Sequence, residues 1–385
     1  MKIRYKYRDF VTDDIREIVR NNRLEENTEV IMGEYLPYQI FVSRETFFKG
    51  LTIEVEGGFS IDRQKSRKGF LLEDIIKPSG EVMAAACSGG IDSSSVTLNV
   101  RPDYVYTGYY SEPGFSEVPY AESVAKRVNA IHLVYEVTEE EYIQQLEDYL
   151  QTICTPIAGL GGVAEMICLK RLMKHFPATD VYFGNGGDEV FLGYFYNHMI
   201  RHLTDVADAN HDYMENFRPS RRKFIYDNID IMLERLINRG GIFYNGSPVL
   251  KRVAQYDDII EKMLDININM TLPSLLHVNH MMCKAAGVTG HNPLSSQDLI
   301  DRSLSFSELW EDRPKKPLVD LCPQLPREIT QRRDKQGFPI PVHKWAMLSE
   351  MIRESVERAG EEFTGINRRA WGLFMIDRWR KEFAV

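Results

Sequence analysis

The chain has 385 residues, of which 43% are apolar and 27% charged, and its formal net charge is −9. That length allows two or three domains with ample core, and the acidic balance argues against general nucleic-acid binding, which shows as a basic surface. No apolar run is long enough to span a bilayer, and five scattered cysteines (Cys87, Cys154, Cys168, Cys283, Cys322) with no C-x-x-C pair and no signal peptide point to reduced thiols in a soluble cytoplasmic protein.

Residues 1–75 read as a small separate α+β cap, with an oligomer contact such as a homodimer as its plainest role. Arg16 to Arg23 is expected to be helical, and Glu29–Met32, Tyr38–Val42 and Leu51–Val55 read as short strands, with Gly57-Gly58 as a tight hairpin or bulge. The polar, basic stretch Ser60–Lys68 leads into the next domain.

From residue 76 to 196 strands and helices alternate. The expected strands are Val82–Cys87, Tyr104–Thr107, Ile131–Val137 and Val181–Phe183. Between them fall a helix from about Ser93, a helix over Glu117–Val128 with Pro119 in its first turn, and a helix opened by the capping box Thr138-Glu139-Glu140-Glu141. A fourth helix covers Gly161–His175, with Val163, Met166, Ile167 and Met173 as its apolar set. This alternation implies a doubly wound parallel α/β sheet, whose ligands sit beyond the carboxyl ends of its strands. After Tyr196 the strand signal disappears, and residues 197–385 read as a helical region for substrate and a catalytic loop.

Two glycine-rich loops fall on that carboxyl edge. Ser88-Gly89-Gly90-Ile91-Asp92-Ser93 follows the strand ending at Cys87, and Gly184-Asn185-Gly186-Gly187-Asp188-Glu189 follows the strand ending at Phe183. A strand, a glycine turn and a helix start converge backbone N–H groups and hydroxyls on one point, a cradle suited to a phosphate chain. Neither loop is a Walker A or G-x-G-x-x-G pattern. Asp92 and Asp188 are the candidate metal ligands, because Mg²⁺ is held through one or two carboxylates together with substrate phosphates. The plainer alternative is that each aspartate caps the helix behind it.

The first loop resembles the SGGxDS loop of PP-loop ATP pyrophosphatases. The second, continued by Phe191 and Gly193-Tyr194, resembles the GxGxDExFxGY stretch of the asparagine synthetase synthase domain. Glu117, Tyr120, Ala121, Val124 and Ala125 look like that family's helix after the second strand. Arg333, Lys335, Gly337, Phe338, Pro341 and Trp345 match its R-x-K-x-G-F-x-x-P-x-x-x-W pattern. These landmarks, in the family's order, span residues 76 to 350. The resemblance implies a PP-loop fold, ATP and Mg²⁺ as cofactors, and attack of a carboxylate on the α-phosphorus of ATP. The acyl-adenylate and pyrophosphate so formed are followed by attack of an amine on the acyl carbon. On this reading Lys335 and Glu189 are catalytic. Ala86, Ser88, Gly89, Gly90, Asp92, Ser93, Thr107, Gly184 and Arg333 bind ATP and pyrophosphate. Lys335 has a chemical reason to be there, since a cation beside the α-phosphate stabilises charge that grows in the transition state.

The departures narrow the expectation. Asparagine synthetases carry an N-terminal glutaminase with a cysteine nucleophile, whereas Met1 is here followed by Lys2 and no cysteine precedes Cys87. A built-in glutaminase is therefore not expected, and the partners are a small-molecule or peptide carboxylate plus ammonia or an amine, with a separate ammonia-supplying or carrier protein as an option. The residue between the loop glycines, Glu in asparagine synthetases and Tyr in β-lactam synthetases, is Asn185, which positions a group but is no base. Where the family has G-V-E-x-R-x-P-F-L-D, Thr289, His291 and Ser296 replace its charges, so the acceptor pocket is not expected to take a small charged amino acid. His280 and His291 join Asn185 as candidate pocket residues. Two other readings stay open: a PP-loop enzyme that transfers sulfur or nitrogen to RNA, and a degenerate synthase domain kept as a binding protein.

Overall fold

Alternate residues Ile3 and Tyr5 are buried, and the run that carries them forms β1 (Ile3–Tyr7), the centre of a three-stranded antiparallel sheet. Its neighbours are β2 (Phe10–Thr12) and β3 (Leu51–Val55), in the order β2-β1-β3. The computed structural model describes residues 2–61, 69–156, 159–208, 218–238, 247–303, 315–332 and 340–383. Leu51–Val55 is the strand expected, and helix α1 (Ile15–Asn21) replaces the expected Arg16–Arg23 with shifted ends. Glu29–Met32 is a correction: Thr28–Tyr38 is helical, capped by the Asn27 side chain, and includes one π turn. Tyr38–Val42 is likewise no strand. Its apolar residues are buried by packing on other elements, which periodicity alone does not separate from strand pairing.

The second sheet has five parallel strands in the order β6-β5-β4-β7-β8: β4 (Met83–Ala86), β5 (Tyr104–Tyr109), β6 (Ile131–Glu136), β7 (Asp180–Tyr182) and β8 (Thr289–His291). Neighbouring residues along the central strands serve opposite faces. Ala84, Tyr106 and Val181 join one core, while Ala85, Val105 and Tyr182 join the other. Helices α2 (Ile91–Val100) and α3 (Val118–Val128) cover the second face. Helices α4 (Gly161–His175) and α6 (Leu272–Ala286) cover the first, and the one-turn helix α5 (Gly187–Val190) sits between them in sequence. The fifth strand comes from residues 197–385, which read as largely helical. Thr289–His291 is too short to show a pattern, yet it completes the sheet edge beside β7.

Residues 1–75 form the small antiparallel sheet and helices expected at the N-terminus, packed onto the rest of the chain. Their core is continuous with that of the parallel sheet and with α8 (Arg368–Phe383). Helix α6 reaches them through the Tyr5 hydroxyl to His277 Nδ1 (2.8 Å), His280 Nε2 to the Asp13 carbonyl (2.7 Å) and Lys284 to Asp13 (2.7 Å). From α8, Arg380 grips Glu26 through two bonds of 2.9 and 2.7 Å. Trp379 is fully buried, with its ring 5.0 Å from both Phe47 and Phe48, and its indole N–H donates to the Cys154 carbonyl at 2.8 Å. Among the described residues no helix is long and apolar enough to cross a membrane.

Removing that indole leaves a cavity at the junction of all three regions. Trp379→Ala is expected to lose about 3–5 kcal/mol of stability. The check is urea unfolding, with the midpoint falling at nearly constant slope.

Candidate active site

The first loop turns tightly because nothing larger than hydrogen fits at its apex. Gly89 has φ +67°, and a Cβ there would lie 2.3 Å from that of Tyr120. Ser93 closes the turn: its hydroxyl accepts from the Ser88 N–H at 3.1 Å and lies 3.2 Å from the Ser88 hydroxyl. Gly90 is the N-cap of α2, so the free N–H groups of the first helical turn face the loop. Below it, Thr107 donates to the Cys87 carbonyl at 2.7 Å and meets His132 Nε2 at 2.8 Å, and Ala86 pairs with Tyr106. Thr107 thus braces the strand end under the loop, with its hydroxyl engaged by protein.

The second loop lies directly against the first. A Cβ on Gly184 would fall 2.8 Å from the Ser93 nitrogen, and one on Gly187 would fall 2.3 Å from Asp92 Oδ1. This closeness brings Asp92 and Asp188 to one point, and a residue the sequence reading missed stands there. Lys315 Nζ is 2.5 Å from Asp92 Oδ2 and 2.6 Å from Asp188 Oδ1. Burial alone would lower the pKa of this ammonium, but the charges of Asp188 and Asp92 outweigh it and hold the group above its ordinary value. Nothing in the sequence around Lys315-Lys316-Pro317 marks it, because its partners come from loops far away in the chain.

A cation shared by two carboxylates is the fit test for a metal. Among the described residues no group of three or more His, Cys, Asp or Glu is assembled to cage an ion. Two carboxylates completed by ligand oxygens suit Mg²⁺, which seldom takes an all-protein cage.

Beside the second loop runs a line of polar side chains. The Asn185 amide donates to Asn279 of α6, and the Asn279 amide donates to Glu165 of α4 at 3.3 Å. Burial raises the Glu165 carboxyl to about 7, and the bond from Asn279 only partly offsets this. Glu165 was legible in principle, as a lone carboxylate three and four residues before the buried Cys168 and Leu169 on a helix read as apolar. Glu189, predicted to be catalytic, turns back into the protein instead. Its carboxylate accepts from the Gly186 N–H at 2.9 Å and from the Tyr194 hydroxyl, and burial raises it to about 7. In this arrangement it braces the loop.

The two predicted pocket histidines do not join Asn185. His280 is committed to the Asp13 carbonyl, and burial lowers its pKa. His291 stacks on Tyr182 at 4.5 Å, with Nε2 2.6 Å from Asp180 Oδ1. Both line a cavity of about 240 Å³ with Lys77, Asn292 and Ser296, beside the edge strand β8.

Arg333 and Lys335 lie outside the described residues, but the chain on either side is anchored at this edge. Arg332 pairs with Glu117 at 2.6 Å, covers the Tyr120 ring at 3.9 Å and approaches the Gly89 carbonyl at 3.5 Å. On the far side, Trp345 donates to Glu112 at 2.6 Å and packs on Tyr110 and Tyr142.

A family model described as Asparagine synthase matches residues 79–381. Curated proteins provisionally named glutamine-hydrolysing asparagine synthetases, from Mycobacterium bovis and two strains of Mycobacterium tuberculosis, are 29% identical over 116 residues. That stretch is 29% of this chain and 18% of each relative.

Glu165 gives the site a signature in pH. With its folded pKa near 7 against an ordinary 4.5, the folded state holds the proton longer than the unfolded one. Its contribution to stability is complete below pH 4.5 and is lost as pH rises through 7. Glu165→Gln is expected to flatten the fall in melting temperature over that window, as read by thermal unfolding across a pH series.

Proposed function

Because this chain belongs to the asparagine synthase family, whose members are ATP-dependent amide-forming enzymes, we propose that it adenylates a carboxylate and transfers the acyl group to ammonia or an amine. The observation that carries this is the meeting of the two glycine-rich loops at the carboxyl edge, with Asp92 and Asp188 sharing one cation. The loop built by Ser88, Gly89, Gly90 and Ser93 presents N–H groups and hydroxyls to the triphosphate. Asp92 and Asp188 would hold Mg²⁺, which neutralises phosphate charge when bound.

A carboxylate oxygen attacks the α-phosphorus, the bond between the α- and β-phosphates breaks, and pyrophosphate leaves. Lys335, three residues beyond the Arg332 anchor, is assigned to the charge that gathers on the α-phosphate oxygens, with Arg333 on the nucleotide. In the second step the amine attacks the acyl carbon, AMP departs, and the amine must shed a proton. Asn185 is no base, so the proton leaves with the departing AMP phosphate, while Glu165, bonded to Asn279, helps to fix the Asn185 amide that orients the amine.

Glutamine is not the direct nitrogen source in this proposal. All five cysteines are buried, and burial pushes their thiols up, Cys322 to about 11 and Cys154 and Cys168 to about 12. None is poised as a thiolate at neutral pH.

A pyrophosphate-release screen of carboxylates, with ammonia or amines, tests the reaction. With the acid it finds, Lys335→Ala is expected to keep ATP binding and to slow single-turnover pyrophosphate release by about 10²–10³-fold. A drop under about threefold would assign Lys335 to the surface. With glutamine as the nitrogen source, the purified chain is expected to release no glutamate, and release at the rate of product formation would overturn this part.

A further inference from the structure

The position of Lys315 has a consequence for the order in which ligands enter. Its ammonium occupies the point where the carboxylates of Asp92 and Asp188 converge, at 2.5 and 2.6 Å, and its side chain is only 12% exposed. Two carboxylates and one ammonium leave a single negative charge. A Mg²⁺ ion bound to the same oxygens would lie within contact distance of the Lys315 ammonium, and the two cations would repel. The phosphates of ATP change that balance, because they bring enough negative charge for both cations to be held at once.

The backbone of Lys315 keeps it there. Lys315 takes the left-handed conformation, φ +57°, at the N-cap of α7 (Lys316–Leu321). Leu318 and Cys322 are fully buried, Asn99 of α2 donates to Cys322 Sγ at 3.5 Å, and Gln324 donates to Asn99 at 3.1 Å. The lysine is therefore pinned to the helix that carries Asp92, and only its side chain has room to leave. Gly193 forms the wall of its slot: a Cβ there would fall 2.2 Å from both Lys315 Cε and Asp188 Oδ1.

We propose that Lys315 is a resident counter-ion that excludes divalent metal from the Asp92–Asp188 pair until ATP binds, so that metal enters with the nucleotide and leaves with pyrophosphate. This rests on the reading of the two loops as a Mg·ATP site. In the free enzyme Lys315 holds the two like-charged loops together. As pyrophosphate departs with the metal, Lys315 returns to the carboxylates and resets the site.

Mn²⁺ serves as the probe, followed by the paramagnetic resonance signal of the free ion, with folding monitored by circular dichroism. Wild-type protein is expected to bind one Mn²⁺ with ATP present and to bind it at least about tenfold more weakly without ATP. Lys315→Met is expected to gain a nucleotide-independent Mn²⁺ site at least about tenfold tighter than wild type, and Lys315→Arg to behave as wild type. Adding Asp92→Asn to Lys315→Met removes the gained site. Lys315→Gln serves in place of Lys315→Met if that variant does not fold. Wild-type protein that binds Mn²⁺ equally well with and without ATP overturns the proposal, as does a folded Lys315→Met protein that gains nothing. Binding of a fluorescent ATP analogue is read in parallel. Its loss in wild type would sink the nucleotide-site reading, while the nucleotide-free Mn²⁺ comparison would still report on Lys315.

Discussion

The pairing of β4 with β7 is the constraint on which the rest of the site depends. Met83 lies opposite Asp180 and Ala85 opposite Tyr182, so the loops that follow the two strands leave the sheet side by side. Once there, they touch without side chains between them, since Gly184 meets the Ser93 nitrogen and Gly187 meets the Asp92 carboxylate. Two acidic loops at that distance repel each other, and a shared cation turns the repulsion into a clasp. The glycines, the aspartates and Lys315 therefore form one device, supplied by three segments that sequence distance alone does not connect.

Some of this was written locally in the chain. The strands ending near Ala86 and Tyr182, the capping of Glu141 by Thr138 and the helix Gly161–His175 follow from short-range pattern, and they stand where the pattern puts them. Both glycine-rich loops could be placed on the carboxyl edge for the same reason. What pattern could not show was partner choice. Lys315 is one lysine among many until the fold sets it between Asp92 and Asp188, and Glu189 looks like a site carboxylate until its bonds to Gly186 and Tyr194 are seen. His280 and His291 are each bonded to a neighbour, Asp13 or Asp180, that no spacing rule predicts.

Beside the second loop, the sequence departs from the resembled enzymes while the loop itself keeps its place. The loop position that carries Glu or Tyr in the resembled enzymes carries Asn185, and a carboxyl, Glu165 on α4, stands behind it across Asn279.

Trp379 closes onto Phe47 and Phe48 from the opposite end of the chain. Phe47 and Phe48 precede Trp379 by a long stretch of chain, so during synthesis they stay uncovered until its helix has been made. Loop closure over so long a separation is entropically late and slow. The newborn protein therefore passes through a long interval in which two exposed phenylalanines invite a holding chaperone or a neighbouring copy. Loss of the helix that carries Trp379 would fall most heavily on a region far earlier in the chain.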